Sequence, residues 1–336
     1  MRASLAWMLC SLSLAARVHG ATGQLGIAGA YHGTIGKLEV FARLEEAANG
    51  ALAGRYFYAS RGKDIRLDGS RRGAGLALVE RVGGRETGRF AGKLDAGAIE
   101  GRWSAGSKAL PFRLVPVPRT ATQPVLVVKK DASRIVKLRS AGTLGGKQCT
   151  REVSYPELFG MPDPRVEEAL NLKLKPEESD CSGAGEHTVD FTVHLNRNGV
   201  LSLSLGGYGY SEGAAHPYSE LRSFNVATAT GRTLGWNDVF KAGAEQAVSA
   251  KLEPLIKAAV AGVPNADSSA EETLREVLAP QVADFFLEDK GVRFNAWGAL
   301  PHAFQALAAD QEFFVPYDAL RSSLVTSGEA AQVWTR

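Results

Sequence analysis

The sequence predicts a multidomain chain, with an all-β antiparallel meander or small barrel first and an α+β domain second. The chain has 336 residues, more than one hydrophobic core usually serves. Short segments rich in β-forming residues recur over residues 28–115, separated by glycine-rich turns at a meander's spacing of roughly 8 to 12 residues. Helical and strand patterns are mixed over residues 125–325, as expected for an α+β domain.

A small unit recurs within the predicted meander, as Gly54-Arg55-Tyr56, Gly88-Arg89-Phe90 and Gly101-Arg102-Trp103. Because side chains alternate across a strand, glycine and the aromatic residue share one face and arginine takes the other. This pattern suits a barrel, and the spacing is loosely similar to that of avidin-like and lipocalin-like barrels. Such a barrel either holds one small ligand or is filled by its own side chains, and both remain open here. Strands are expected at 37–44, 52–59, 64–69, 75–81, 87–94, 99–104 and 110–115.

The rest of the chain is divided by local signals. A proline-rich stretch at residues 116–124 resists helix and central strand, and predicts a linker that few contacts cross. Asp163-Pro164 predicts a helix start, because aspartate caps the first turn and proline fits the first helical position. Asn198-Gly199 predicts a tight hairpin turn between two strands. Helices are also expected at 244–260 and 270–286, and a tail at 326–336.

Six phrases of the second half carry a family resemblance. They are residues 155–160 (YPELFG), 201–210 (LSLSLGGYGY), 213–217 (GAAHP), 224–234 (FNVATATGRTL), 237–240 (NDVF), and 286–292 (FLEDKGV) leading to 315–320 (VPYDAL). In this order they resemble the RsiV-type domain of unknown function, which occurs in lysozyme-sensing anti-sigma factors and attached to peptidoglycan deacetylases. The resemblance covers residues 125–325. It implies a cell-envelope binding or sensing module with no agreed catalytic residues, and a basic, lysozyme-like protein as a partner. The sequence shows neither the membrane span of an anti-sigma factor nor the metal-binding Asp and His motif of a deacetylase.

The N-terminus predicts export. Residues 1–20 read as a cleavable signal peptide, since Arg2 precedes an apolar run at 5–16 that is too short to span a bilayer. No membrane span is expected after cleavage, and the mature chain is expected to be periplasmic or secreted. Cleavage removes Cys10 and leaves Cys149 and Cys181. An even pair in an oxidising compartment predicts one disulfide bond.

The candidate binding site is a surface loop expected at residues 208–218. Its side chains Tyr208, Tyr210, Glu212, His216 and Tyr218 are expected to form an amphipathic contact patch, because exposed aromatic residues are frequent anchors in protein and carbohydrate interfaces. The alternative is that His216 only fixes a hairpin between two strands.

The same segment contains a serine-hydrolase pattern. Ser211 lies between Gly209 and Gly213, as in the Gly-x-Ser-x-Gly nucleophile motif, and His302 is the only plausible downstream base. That motif requires a strand before the serine and a helix immediately after it, whereas the following residues are expected to be extended. A catalytic serine is therefore not predicted.

Metal and cofactor sites are not predicted either. His187 and His194 are an odd number of residues apart on one expected strand, so they face opposite sides of the sheet. No third ligand has suitable spacing. Nucleic acid is not an expected partner, because the arginines are dispersed over the strands and no reading motif is present.

Charge is divided unevenly along the chain. Residues 21–160 carry 23 Lys or Arg against 12 Asp or Glu, a net charge of +11, whereas residues 161–336 carry 14 against 24, a net charge of −10. Either the halves dock and neutralise each other, or the basic half faces an anionic envelope polymer while the acidic half binds a basic protein. The sequence therefore predicts a non-catalytic binding or sensing protein of the cell envelope. A cell-wall or ester hydrolase and a structural or assembly partner in the periplasm are the alternatives.

Overall fold

The first half of the protein is a closed β-barrel. The computed structural model describes residues 26–335 except 122, 141–142, 177–183, 216, 264–267, 281–282 and 298–310, so the predicted signal peptide lies outside the described residues. Eight antiparallel strands pair in sequence order, and the first closes onto the last. They are β1 (Gly29–Ile35), β2 (Leu38–Glu46), β3 (Ala51–Tyr58), β4 (Ile65–Arg72), β5 (Gly75–Val82), β6 (Arg85–Asp95), β7 (Ala98–Ala105) and β8 (Lys108–Pro116). The all-β prediction for this half is confirmed.

The barrel's own side chains fill its interior. Tyr56, Phe90 and Trp103, the aromatic residues of the repeated unit, are buried in one core cluster with aliphatic side chains from all eight strands. Arg89 and Arg102 of the same units are exposed, as the strand alternation predicts. This packing favours a filled barrel over one that is hollow for a ligand.

One carboxylate lies within the barrel. Glu80 is buried and accepts hydrogen bonds from Tyr56 Oη at 2.6 Å, Trp103 Nε1 at 2.8 Å and Thr87 Oγ1 at 2.6 Å. Gly88 permits this approach, because a Cβ there would lie only 2.7 Å from Trp103 Nε1. The three donors replace the water that a buried carboxylate loses.

The second half is built on a six-stranded sheet and a three-stranded sheet, with helices on both sides. The larger sheet has the order β10-β11-β12-β13-β14, and β9 pairs with the end of the long strand β11. Its strands are β9 (Leu126–Asp131), β10 (Arg134–Ser140), β11 (Thr143–Phe159), β12 (Gly185–Arg197), β13 (Val200–Ser211) and β14 (Tyr218–Ala227). The smaller sheet contains β15 (Asp284–Leu287), β16 (Gly291–Asn295) and β17 (Glu312–Pro316). The predicted α+β class is confirmed for this half, with strands predominating.

The helices cover different faces of the larger sheet. Among the described residues they are α1 (Pro164–Leu174), α2 (Trp236–Val239), α3 (Glu245–Ala261), α4 (Ser268–Val277), α5 (Tyr317–Leu320) and a 3-10 helix (Ala330–Val333). Leu170 and Leu174 of α1 pack with Leu201 and Leu203 on one face. On the other face, α3, α4 and the small sheet form the largest core cluster. None of the helices in the described part of the chain is long and apolar enough to cross a membrane.

Local signals located several of these elements correctly. Asp163 caps α1 and accepts a hydrogen bond from the Arg165 backbone at 2.8 Å, with Pro164 as the first helical residue. Asn198 and Gly199 both have positive φ angles, 52° and 76°, as a two-residue hairpin turn requires.

Two expectations for the C-terminal region were wrong. The helix expected at 270–286 ends at Val277, because Pro280 cannot continue it, and residues Asp284–Leu287 form β15 instead. The expected tail at 326–336 is packed, since Ala330 and Val333 are buried in the largest core cluster.

The barrel and the larger sheet share an apolar contact. Phe41 and Phe57, on the outside of the barrel, contact Phe159 at ring-centroid distances of 5.5 and 6.3 Å. Val128 of β9 and Ala30 of β1 belong to the same buried cluster. The expectation that few contacts join the two halves is therefore wrong. The physical reason is that the outer face of β2 and β3 carries aromatic side chains at positions where an isolated barrel would be polar.

Candidate functional site

The predicted tyrosines lie on the far end of the larger sheet. Tyr208 and Tyr210 are in β13, on the face where the small sheet covers only the end near the Asn198-Gly199 turn. That covered end is marked by hydrogen bonds from β15 to the larger sheet, such as Leu287 N to Ser202 Oγ at 2.9 Å. Farther along β13 the same face is open, and Tyr208 and Tyr210 are 43% and 37% exposed.

The strand register shows which side chains surround these tyrosines. Directly paired residues share a face, and the pairs run Ile135–Thr150–Glu186–Tyr210 in one row and Glu152–Thr188–Tyr208–Ser219 in the next. Ile135 is 64% exposed. We call the surface formed by Ile135, Glu152, Glu186, Thr188, Asp190, Tyr208 and Tyr210 the open sheet face.

The open sheet face combines apolar and acidic groups. Glu152, Glu186 and Asp190 are exposed on it beside the two tyrosines. Asp190 forms an ion pair with Lys129 at 3.9 Å. Aromatic rings with carboxylates beside them are suited to a partner that presents cationic side chains, because both the ring faces and the carboxylates attract cations.

Tyr218 does not belong to this surface. It pairs with Gly209, so its side chain lies on the opposite side of the sheet from Tyr208 and Tyr210. There its hydroxyl is 2.9 Å from His187 Nδ1, and both rings lie over Gly209, where a Cβ would be 2.4 Å from the tyrosine ring. The single patch expected from the sequence is thus divided between two faces, because neighbouring positions of a strand alternate.

The remaining predicted site residues lie at the turn after β13. Glu212 is exposed and forms an ion pair with Lys147 at 3.0 Å. His216 lies outside the described residues. Ser211 is the last residue of β13, after which the chain turns back into β14. The strand–turn–helix geometry of a nucleophile elbow is therefore not formed around Ser211.

The two strand histidines are separated as expected. His194 donates or accepts a hydrogen bond with Ser204 at 2.8 Å and stacks on Phe286 at 3.7 Å, on the side of the sheet opposite His187. Burial lowers the pKa of His194 below its ordinary value. No cluster of three or more metal-binding side chains occurs among the described residues.

The predicted disulfide partners are described only in part. Cys149 is fully buried in β11, whereas Cys181 lies outside the described residues. The Cys149–Cys181 bond therefore stays a prediction.

A second site, which the sequence analysis missed, lies between the barrel and the larger sheet. Glu157 of β11 is almost fully buried and accepts hydrogen bonds from Arg43 Nε at 2.9 Å and Arg55 Nη2 at 2.7 Å. Lys130 Nζ is 3.6 Å away. Burial opposes ionisation of Glu157, but the hydrogen bonds and charge of Arg55, then those of Arg43 and Lys130, outweigh it and hold its pKa below the ordinary value.

Glu167 forms the other half of this network. It is fully buried in α1 and accepts hydrogen bonds from Arg43 Nη1 at 2.6 Å and Arg119 Nη1 at 2.9 Å. Arg119 lies in the segment expected as a free linker, which is thereby fixed to the second half. The sequence signal for this site is that Glu167 interrupts the apolar stripe of α1. The signal does not identify the partners, because Arg43 and Arg119 are 124 and 48 residues away along the chain.

Beside this network lies a cleft of about 840 Å³, bounded by the outer wall of the barrel, β11 and α1. Its lining includes six Lys or Arg and four Asp or Glu side chains, together with the exposed apolar residues Val82 and Leu172. The basic segment 21–160 meets the acidic segment 161–336 here through the ion pairs of Arg43 and Arg119 with Glu167, as one of the two interpretations of the charge division predicted; Glu157 itself belongs to the basic segment.

Comparisons with known proteins identify structural neighbours of unknown function. No family model matches the chain, and no curated protein is similar to it. A member of the DUF3298 family from Bacteroides fragilis is 14% identical with a TM-score of 0.47, covering 64% of this chain and 100% of its own. A DUF3298 family protein from Pseudomonas aeruginosa is 18% identical with a TM-score of 0.42, covering 61% of this chain and 97% of its own. These neighbours are uncharacterised, and the RsiV-type resemblance stays a prediction.

Proposed function

We propose that this chain is an exported, non-catalytic protein of the cell envelope that binds a basic protein through the open sheet face. The observation that carries the proposal is the exposure of Tyr208 and Tyr210 next to Glu152, Glu186 and Asp190 on one face of the larger sheet. Export rests on the predicted signal peptide at residues 1–20. The lysozyme-like class of the partner rests on the RsiV-type resemblance.

The two kinds of side chain have different roles in this proposal. Tyrosine contributes a large, rigid contact area at a low cost in conformational entropy, and tyrosines are enriched among the residues that dominate binding energy. Carboxylates around them attract a cationic partner and raise the association rate, an effect that salt screens. Tyrosine truncation should therefore change the dissociation rate, and carboxylate neutralisation should change the association rate.

The test measures binding of the chain from residue 21 to a purified basic lysozyme by calorimetry at about 150 mM salt. The Tyr208→Ala/Tyr210→Ala variant should bind about tenfold more weakly or worse, because each interface anchor contributes more than about 1 kcal/mol. Tyr218→Ala is the matched control, since Tyr218 is 43% exposed but lies on the opposite face. It should bind like wild type.

Two results would contradict the proposal. The first is no detectable binding by the wild-type chain. The second is an equal loss of affinity in the Tyr208→Ala/Tyr210→Ala and Tyr218→Ala variants with unchanged thermal midpoints, which would mean that the open sheet face is not the contact.

A Glu152→Gln/Glu186→Gln variant should also bind with a weaker salt dependence than wild type.

A further inference from the structure

Four arginines form one row across the outer wall of the barrel. Arg43 of β2 lies directly opposite Arg55 of β3, Arg55 opposite Arg66 of β4, and Arg66 opposite Arg81 of β5. Directly opposed side chains in antiparallel strands lie about 5 Å apart at their Cβ atoms and point to the same face. The row ends at Glu86 of β6, which opposes Arg81.

Such a row is unfavourable for the sheet itself. Like charges placed directly opposite each other destabilise a strand pair, and three consecutive pairs of this kind occur here. Arg43 and Arg55, the two arginines nearest the second half of the chain, are neutralised by Glu157 of that half. Arg55 also binds Asp64 of the barrel at 2.8 Å. These two residues are explained by the interface between the halves.

Arg66 and Arg81, at the other end of the row, are not part of that interface. Arg66 and Arg81 are 73% and 40% exposed, and they share one carboxylate, Asp68, at 2.8 and 3.6 Å. Exposed ion pairs of this kind contribute little to stability. Two cations facing one anion leave an excess of positive charge at the open end of the row.

The row forms one wall of the cleft. All four arginines line it, and Lys175, just beyond α1, adds a further exposed cation from the other side. Glu45, Asp64, Glu157 and Glu168 are the carboxylates of the lining. Arg43 and Arg55 donate to Glu157, and Arg66 donates to Asp68 through Nε at 3.0 Å and Nη2 at 2.8 Å. The cations of the lining that lie outside the interface are therefore Arg66, through its remaining Nη1 group, Arg81 and Lys175.

We propose that the β4–β5 end of this row, Arg66 and Arg81, together with Lys175, is the binding site of a linear polyanion that lies along the cleft and crosses β4 and β5. A guanidinium presents two parallel N–H donors that match the oxygens of a phosphate or carboxylate group. Arg66 and Arg81, about 5 Å apart at their Cβ atoms, and Lys175 offer successive cationic groups to successive oxyanions of an extended chain, in competition with Asp68. A compact monovalent anion would occupy only one fork, so a polymer should bind more tightly than its monomer. This site is independent of the open sheet face, and either can fail without the other.

The experiment titrates the chain from residue 21 with two probes, inorganic polyphosphate of about ten units and an oligogalacturonate of about ten units, using calorimetry at about 50 and 150 mM salt. These probes separate a phosphate from a carboxylate polymer as the ligand. A neutral dextran is the control ligand. The wild-type chain should bind at least one of the polyanions, more weakly at the higher salt, and should not bind dextran.

The Arg66→Gln/Arg81→Gln variant should bind that polyanion at least about tenfold more weakly, because hydrogen bonds to charged groups are lost at two forks. Arg102→Gln/Lys108→Gln is the matched control. It removes the same charge from β7 and β8, whose exposed side chains lie away from the cleft lining. Its affinity should change by no more than about twofold.

The Arg66→Gln/Arg81→Gln variant should fold, because it removes two exposed cations that face each other. Its thermal midpoint should lie within about 3 °C of wild type. Arg66→Lys/Arg81→Lys is the second variant, which keeps the charge and loses the fork. It should bind more weakly than wild type and more tightly than the glutamine variant. Absence of binding to both polyanions overturns the proposal. An equal loss of affinity in the cleft variant and the control also overturns it, since this would indicate nonspecific attraction to a basic barrel.

Discussion

Replacing Glu157 by glutamine is expected to lower the free energy of unfolding at neutral pH by about 3 kcal/mol. The Glu157 side chain is 4% exposed and faces three cations, Arg43, Arg55 and Lys130. Removing one partner from a buried ion pair costs about 3–5 kcal/mol, because the remaining charge is left uncompensated. The lower end of this range applies here. Arg43 keeps its contact with Glu167, and Arg55 and Lys130 keep theirs with Asp64.

The effect should also depend on pH in a defined direction. Because the pKa of Glu157 is lower in the folded protein than its ordinary value of 4.5, the carboxylate stabilises the fold fully above that ordinary value. This stabilisation is lost as the pH falls through the folded-state pKa. The glutamine variant has no group to titrate at this position. The difference in stability between wild type and variant should therefore be largest near neutral pH and should shrink in acid.

Guanidinium unfolding at about pH 7 and about pH 3 measures both effects, and thermal unfolding at neutral pH should show a midpoint lowered by roughly 6 to 12 °C. Glu168→Gln is the control, since Glu168 is an exposed carboxylate of the same cleft and its loss should cost less than about 0.5 kcal/mol. A loss below about 1 kcal/mol for the Glu157 variant, or one that does not shrink in acid, would refute the reasoning.

Three further outcomes are expected. Gly88→Ala should destabilise the barrel by about 1–3 kcal/mol, because the added Cβ would lie 2.7 Å from Trp103 Nε1, and an unchanged denaturation midpoint would contradict this. Phe159→Ala should cost about 3–5 kcal/mol, since its fully buried ring fills the contact between the halves; a loss of under about 1 kcal/mol by the same assay would mean that the site collapses around the cavity. Thiol labelling of the denatured, unreduced mature chain should find no free thiol if Cys149 and Cys181 are bridged, and two labels per chain would exclude the bridge.

Several elements were predictable because short-range interactions determine them. Asn198-Gly199 forms its turn because both residues tolerate positive φ, which the two-residue hairpin needs. Asp163-Pro164 starts α1 through a cap that involves only neighbouring residues. The helix expected to reach residue 286 failed for a local reason that the prediction overlooked, because Pro280 cannot continue a helix and the short hairpin of β15 and β16 follows it.

The candidate binding site was predictable only in part. The sequence pointed to Tyr208 and Tyr210 as contact residues of a surface loop, whereas the structure places both in β13, where the period of two puts them on one face. The sequence could not show which face the small sheet leaves open, since that depends on where β15 docks.

The sequence by itself determined the order of the two halves, the strand alternation and the opposite charges of the halves, because composition and local periodicity encode them. Only the tertiary structure decided that four arginines from four strands stand in one row and that Glu157 reaches two of them from more than 100 residues away. The physical reason is that strand register and docking are chosen by the burial of the whole core. A residue's charged neighbours follow from that choice and not from its neighbours along the chain.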